Sequence, residues 1–179
     1  MIEVITGPMF SGKTGELIKR INQVKESDLK HIVFKPEIES RNEAEVNAIA
    51  THDKNNSYPA KMVKDIFDVL DLSAKFDVVV IDEAQFFSYN LYKIVAFLDA
   101  MGKRIIVSGL DMDYIKEPFD TMAKVMAIAD NVTKLVAVCD ICGSSARYSK
   151  RIIYEKERVL IGSSDKYIAS CTKCFIDEK

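Results

Sequence analysis

Residues 7–14 run Gly7, Pro8, Met9, Phe10, Ser11, Gly12, Lys13, Thr14, matching G-x-x-x-x-G-K-[ST] at every fixed position. A loop of this composition can wrap its backbone N–H groups around phosphate oxygens. The helix that follows points its positive end at the same anion. Lys13 would place a charge on the β- and γ-phosphates, and the Thr14 hydroxyl would ligate Mg²⁺. The competing reading is a chance glycine turn before a helix. The flanks argue against it: an apolar strand, Ile2 to Thr6, precedes the loop, and Leu17, Ile18, Ile21 and Val24 follow at helical spacing.

Asp82 and Glu83 follow the run Val78-Val79-Val80-Ile81. Carboxylates at the carboxyl end of a buried strand stand where parallel α/β sheets bind ligands. Asp82 is expected to hold Mg²⁺ and Glu83 to accept a proton. Ala84 and Gln85 complete the stretch assigned to the nucleotide site. Two chemistries remain open on these residues: activation of water by an ATPase, or of a substrate hydroxyl by a small-molecule kinase. The string Asp82-Glu83-Ala84-Gln85 also suggests a helicase. The residues beyond the first sheet are too few to build the second lobe that such a motor needs.

All four cysteines lie late in the chain, as Cys139-x-x-Cys142 and Cys171-x-x-Cys174, with 28 residues between the pairs (171 − 142 − 1). Two C-x-x-C knuckles suit a closed tetrahedral Zn²⁺ site, with two disulfides or a redox pair as the alternatives. Zinc here would tie together the ends of residues 143–170, making a lid of what would otherwise be a long loop. Arg147, Lys150, Arg151, Lys156 and Arg158 give that loop a basic character, tempered by Glu155 and Glu157. Nucleic-acid binding is the minor reading for it.

The elements that must position these groups follow from periodicity. His31 to Phe34 reads as a second strand, and residues 37–59 as mostly loop, with room for a short helix near Ala44 to Ile49. Val63, Ile66, Phe67 and Leu70 recur at i, i+3, i+4 and i+7, as do Leu91, Ile94, Val95 and Leu98. Ile105 to Val107 reads as a strand, Met122, Val125, Met126 and Ala129 as a helix face, and Lys134 to Val138 as a last strand. This alternation predicts an α/β fold: a P-loop NTPase-like parallel sheet with helices on both faces over residues 1–138, plus a small zinc-binding lid over 139–179.

The 179 residues carry 25 Lys+Arg against 27 Asp+Glu, a formal charge of −2, and are 48% hydrophobic. That composition excludes a disordered chain, and its charge balance leaves no footprint for a non-specific nucleic-acid or anionic-membrane binder. With no leader-like start and no apolar run long enough to span a bilayer, a cytoplasmic location is expected.

Taken together, the sequence resembles the type II (cytosolic, zinc-containing) thymidine kinases. The resemblance runs from the phosphate loop to Cys174. It includes Thr51-His52-Asp53, Asp82-Glu83-Ala84-Gln85-Phe86, Gly109-Leu110-Asp111, Lys116-Glu117-Pro118-Phe119 and Ile161-Gly162 before Asp165-Lys166-Tyr167. It implies transfer of the ATP γ-phosphoryl group to the 5′-hydroxyl of thymidine, with Glu83 as general base and Asp82 and Asp53 near the metal and the substrate hydroxyl. The loop between the cysteine pairs matches the family's lasso over the nucleoside, with Ile161, Gly162 and Ser163 beside the base and Tyr167 packed on it. Tyr114 and Phe119 match aromatic positions of the base pocket, and Met9 a contact to the thymine methyl. On composition alone these three aromatics would be core or surface residues. Lys54 stands where the family commonly has Arg, Ser163 where it usually has a second Gly, and Tyr114 where Phe is frequent. The family resemblance further implies a homotetramer and feedback by thymidine triphosphate.

Overall fold

The computed structural model describes residues 1–37, 48–51, 55–154 and 165–176. Six strands form the central sheet: β1 (Ile2–Thr6), β2 (His31–Pro36), β5 (Lys61–Val63), β6 (Val78–Ile81), β7 (Arg104–Gly109) and β8 (Asn131–Lys134). Their order is β5-β2-β6-β7-β1-β8, and every pairing is parallel. The continuous apolar runs predicted strands covered on both faces, and β1 and β6 are buried at every residue. Alternate residues serve opposite layers. Val79 and Ile81 pack with Leu91, Val95 and Leu98, whereas Val78 and Val80 pack with Leu17, Ile18 and Ile21.

The helix α1 (Lys13–Lys25) covers one face, and α2 (Ile66–Ser73), α3 (Leu91–Ala100) and α4 (Asp120–Ala127) cover the other. The α2 start differs from the expected one. Asp65 caps the helix by accepting from Phe67 N–H at 3.0 Å, and its own N–H reaches Asp68, closing a capping box. Val63 therefore lies outside the helix, in β5, and Phe67 is exposed. Periodicity could not separate them, because Val63 as a strand residue falls three positions before Ile66.

Two further expectations shift. The stretch assigned to loop contains a hairpin of β3 (Ala48–Ala50) and β4 (Ser57–Pro59), so Ile49 is in a strand rather than a helix. Residues 44–47 and His52 lie outside the described residues. Ile49 and Tyr58 pack over α1, and His31 Nε2 meets the Tyr58 hydroxyl at 2.6 Å. The last sheet strand is Asn131–Lys134, upstream of the expected span. There, Val132 can pair with Val4 in register, while Ala137–Val138 turns away as β9.

β9 pairs with β10 (Ser145–Ala146), and β11 (Tyr148–Arg151) pairs antiparallel with β12 (Tyr167–Ser170), ahead of α5 (Thr172–Ile176). These short elements share a small core of Ala137, Cys139, Ala146, Ala169 and Cys171, onto which Phe10 of the phosphate loop packs. No helix among the described residues is long and apolar enough to cross a membrane.

Candidate active site

The phosphate loop joins β1 to α1. Gly7 is enforced by a close approach: a Cβ there would lie 2.4 Å from the Leu135 carbonyl oxygen. Gly12 precedes α1 at φ 83°, a conformation that side chains disfavour. It offers no side-chain cap, so the first-turn amides of α1 are left to an anion in the loop. Lys13 folds back, its ammonium donating to the Pro8 carbonyl at 2.7 Å; the Ser11 hydroxyl donates to the same oxygen at 2.8 Å. Thr14 follows, half-buried.

At the end of β6, Asp82 continues the ladder by donating its N–H to the Phe34 carbonyl at 2.9 Å. Glu83 then adopts φ 52°, a left-handed conformation rare for this residue type, and a 3₁₀ turn over Ala84–Phe86 begins. Asp82 is buried, and Glu83 is half-buried. Burial and the Glu83 carboxylate push Asp82 up to about 6, against the Ser108 hydroxyl and the Lys13 ammonium. Burial pulls the Lys13 ammonium below its ordinary value, opposed by Glu83, then Asp82, then Asp111. Lys13 thus interacts with three carboxylates, those of Glu83, Asp82 and Asp111.

Gln85 is fixed at both ends of its amide. It donates to Glu83 Oε2 at 2.6 Å and accepts from Leu110 N–H at 3.0 Å. Ala84, assigned to the nucleotide site from sequence, places its methyl in the core beneath α2–α4. Asp111 follows β7 as Asp82 follows β6; it is buried, and Lys134 approaches its Oδ2 at 2.7 Å. The sequence reading passed over Asp111 as a site residue. Its place just after a buried strand was the available signal. Lys134 carried none, being one lysine among many.

Tyr114 and Phe119 lie on the turn between β7 and α4. Asp113 shapes that turn by accepting from Ile115 N–H at 3.0 Å and Glu117 N–H at 2.9 Å. Tyr167 opens β12. The β11–β12 hairpin docks on the phosphate loop, where Met9 N–H donates to the Ser149 hydroxyl at 2.9 Å. Met9 and Tyr167 therefore sit on segments joined by a hydrogen bond, a role for Ser149 that sequence spacing does not reveal. Asp53, Lys54, Ile161, Gly162 and Ser163 lie outside the described residues. Thr51, just before Asp53, brings its methyl within 3.9 Å of where a Cβ on Gly15 would stand, so the β3–β4 hairpin reaches the start of α1.

The sulfurs of Cys139, Cys142, Cys171 and Cys174 all lie within 4.8 Å of one another, and none is in a disulfide. Cys142 and Cys171 Sγ are 3.7 Å apart. Four thiolates at about 2.3 Å from a tetrahedral Zn²⁺ would be separated by about 3.8 Å. Backbone hydrogen bonding, led by Cys171 N–H, pulls the Cys139 thiol down to about 6, while the Cys142 sulfur, burial and the other cysteines push Cys174 up to about 12. The spacing of the four sulfurs is what fits a bound divalent cation.

The thymidine kinase family model matches residues 1–175. The chain belongs to the thymidine kinase family. A thymidine kinase from Rhodothermus sp. (strain ITI 518) is 42% identical over 175 residues, which cover 97% of this chain and 80% of that protein. The family's reaction is ATP-dependent phosphorylation of thymidine. Family membership implies ATP with a divalent metal as reactants, and the cysteine cluster is one that could hold zinc.

Proposed function

We propose that Glu83 is the general base of thymidine phosphorylation, acting on the 5′-hydroxyl beside the phosphate loop. The observation that carries this is the left-handed turn at Glu83. It opens the 3₁₀ turn over Ala84–Phe86, and Glu83 is the carboxylate that acts most strongly on the Lys13 ammonium. The loop from Gly7 to Thr14 binds the ATP phosphates through its amides, and Lys13 neutralises charge on the transferring group. Asp82 and Thr14 would hold Mg²⁺. When bound, that ion would offset the charge developing on the phosphate oxygens. Glu83 orients the hydroxyl and takes its proton as the bond to phosphorus forms.

Met9, Tyr114, Phe119 and Tyr167 form the nucleoside pocket in this reading. The family resemblance adds Asp53, Lys54, Ile161, Gly162 and Ser163 as substrate-binding residues. The chain divides at residues 138 and 139 into a nucleotide-binding domain and a lid whose four cysteines hold a structural zinc. A cytoplasmic homotetramer subject to thymidine triphosphate feedback follows from the family resemblance.

The test is a nucleoside panel with ATP and Mg²⁺, reading monophosphate product. Thymidine should give thymidine monophosphate, whereas 5′-deoxythymidine, which lacks the acceptor, should give none. Nucleoside-independent ATP hydrolysis, stimulated by DNA, would favour a motor or switch instead.

A further inference from the structure

Arg151 is the last residue of β11 and stands opposite Tyr167, the first residue of β12. Its guanidinium carbon lies 3.6 Å from the centroid of the Tyr114 ring and 5.3 Å from that of Tyr167. One Nη also donates to the Tyr167 hydroxyl at 2.7 Å. A single planar cation therefore touches both tyrosines assigned to the nucleoside pocket. These come from separate parts of the molecule, the β7–α4 turn and the lid hairpin. Asp113 fixes the internal shape of that turn but not its distance from the hairpin. Lys116 makes a second link, its ammonium 4.4 Å from the centroid of Phe175 and 5.5 Å from that of Tyr148. Lys116 touches neither pocket ring in these contacts, so the two cations differ in what they position.

We propose that Arg151 is a positioning residue for thymidine binding. Stacked on Tyr114 and hydrogen-bonded to Tyr167, it holds the two rings at a set separation, so the base enters a preformed slot. The assignment rests on the reading of Tyr114 and Tyr167 as nucleoside residues. A guanidinium suits the task because it is flat, always charged, and can stack and donate at once; a lysine ammonium can do only one of these well. Preorganisation of this kind acts on binding rather than on chemistry.

Steady-state kinetics of Arg151→Met, Arg151→Lys, Tyr167→Phe and Lys116→Met test it, with zinc content measured on each. Arg151→Met should raise the KM for thymidine about ten-fold or more, with kcat and the KM for ATP within about three-fold, and Arg151→Lys should fall between it and wild type. Tyr167→Phe keeps the ring yet should raise the same KM about three-fold, and adding it to Arg151→Met should cost nothing more. Lys116→Met should leave thymidine KM within about two-fold. An unchanged thymidine KM in both Arg151 variants, with Tyr114→Ala and Tyr167→Ala raising it, overturns the role of Arg151 and leaves the pocket standing. If the tyrosine variants also leave it unchanged, the pocket reading itself fails. Equal effects from Lys116→Met and Arg151→Met would reduce Arg151 to general support of the interface, which also overturns the proposal.

Discussion

The Gln85 side chain donates to Glu83 Oε2 at 2.6 Å while Leu110 N–H holds its other end at 3.0 Å. Because the oxygen of the amide is committed to a backbone donor, only its NH₂ can face Glu83. Gln85 therefore fixes which way the carboxylate points. Gln85→Leu should lower kcat about ten-fold with little change in the KM for ATP, since it frees Glu83 without removing it. Steady-state kinetics with both substrates read this split.

Asp82 makes the metal-free protein pH-sensitive. Its folded-state value, about 6, lies above its unfolded one, so the protonated carboxyl is the form that folding favours. The stabilisation is complete below about pH 4 and is lost as pH rises through about 6. Asp82→Asn keeps a neutral side chain at every pH. In the absence of Mg²⁺ and nucleotide, it should raise stability at pH 7 by on the order of 1–3 kcal/mol while abolishing activity. Thermal melts of both proteins at pH 4.5 and 7 measure it; a lower Tm for the variant at pH 7 would contradict the assignment.

Metal removal should act on the lid before the sheet. Among the described residues, the small core around the cysteines buries three alanines, Ala137, Ala146 and Ala169, and two of the cysteines, with Phe10 and Cys174 packed against it, too little apolar area to hold without a cross-link. Strong chelation should release about one zinc per chain, and Cys171→Ser should bind almost none. Phe10 and Met9 lose their partners on the lid, so thymidine phosphorylation should fall while most secondary structure remains. Metal analysis alongside circular dichroism separates the two effects.

The Lys134–Asp111 pair offers a fourth test. Asp111 is buried, and Lys134 is the cation nearest its Oδ2. Lys134→Met removes a cation that is itself half-exposed and leaves Lys13 still acting on Asp111, so it should destabilise the protein by only about 1 kcal/mol. Lys134→Met with Asp111→Asn should recover much of that loss. Denaturant melts of the three variants decide it.

How much of this was legible in the sequence depends on the distance over which each signal acts. The phosphate loop, Asp82-Glu83 and the paired cysteines are local patterns, and the buried strands announce themselves as β-branched runs. The β5 and β3–β4 segments were missed because three-residue strands are shorter than any period they could display. Val63 shows the same limit, reading as helix because strand and helix residues happened to fall at helical spacing. Gln85, Ser149, Arg151 and Lys134 act across elements remote in the chain, and nothing in their neighbourhood in sequence marks the partner they meet.

The base assignment is the claim on which the mechanism turns, and Glu83→Gln tests it most directly. The variant keeps the size and hydrogen-bonding reach of the side chain but cannot take a proton. Single-turnover phosphorylation of thymidine, measured with ATP affinity on the same sample, should be slowed at least about 10²-fold with ATP binding retained. Turnover near the wild-type rate would contradict the role assigned to Glu83.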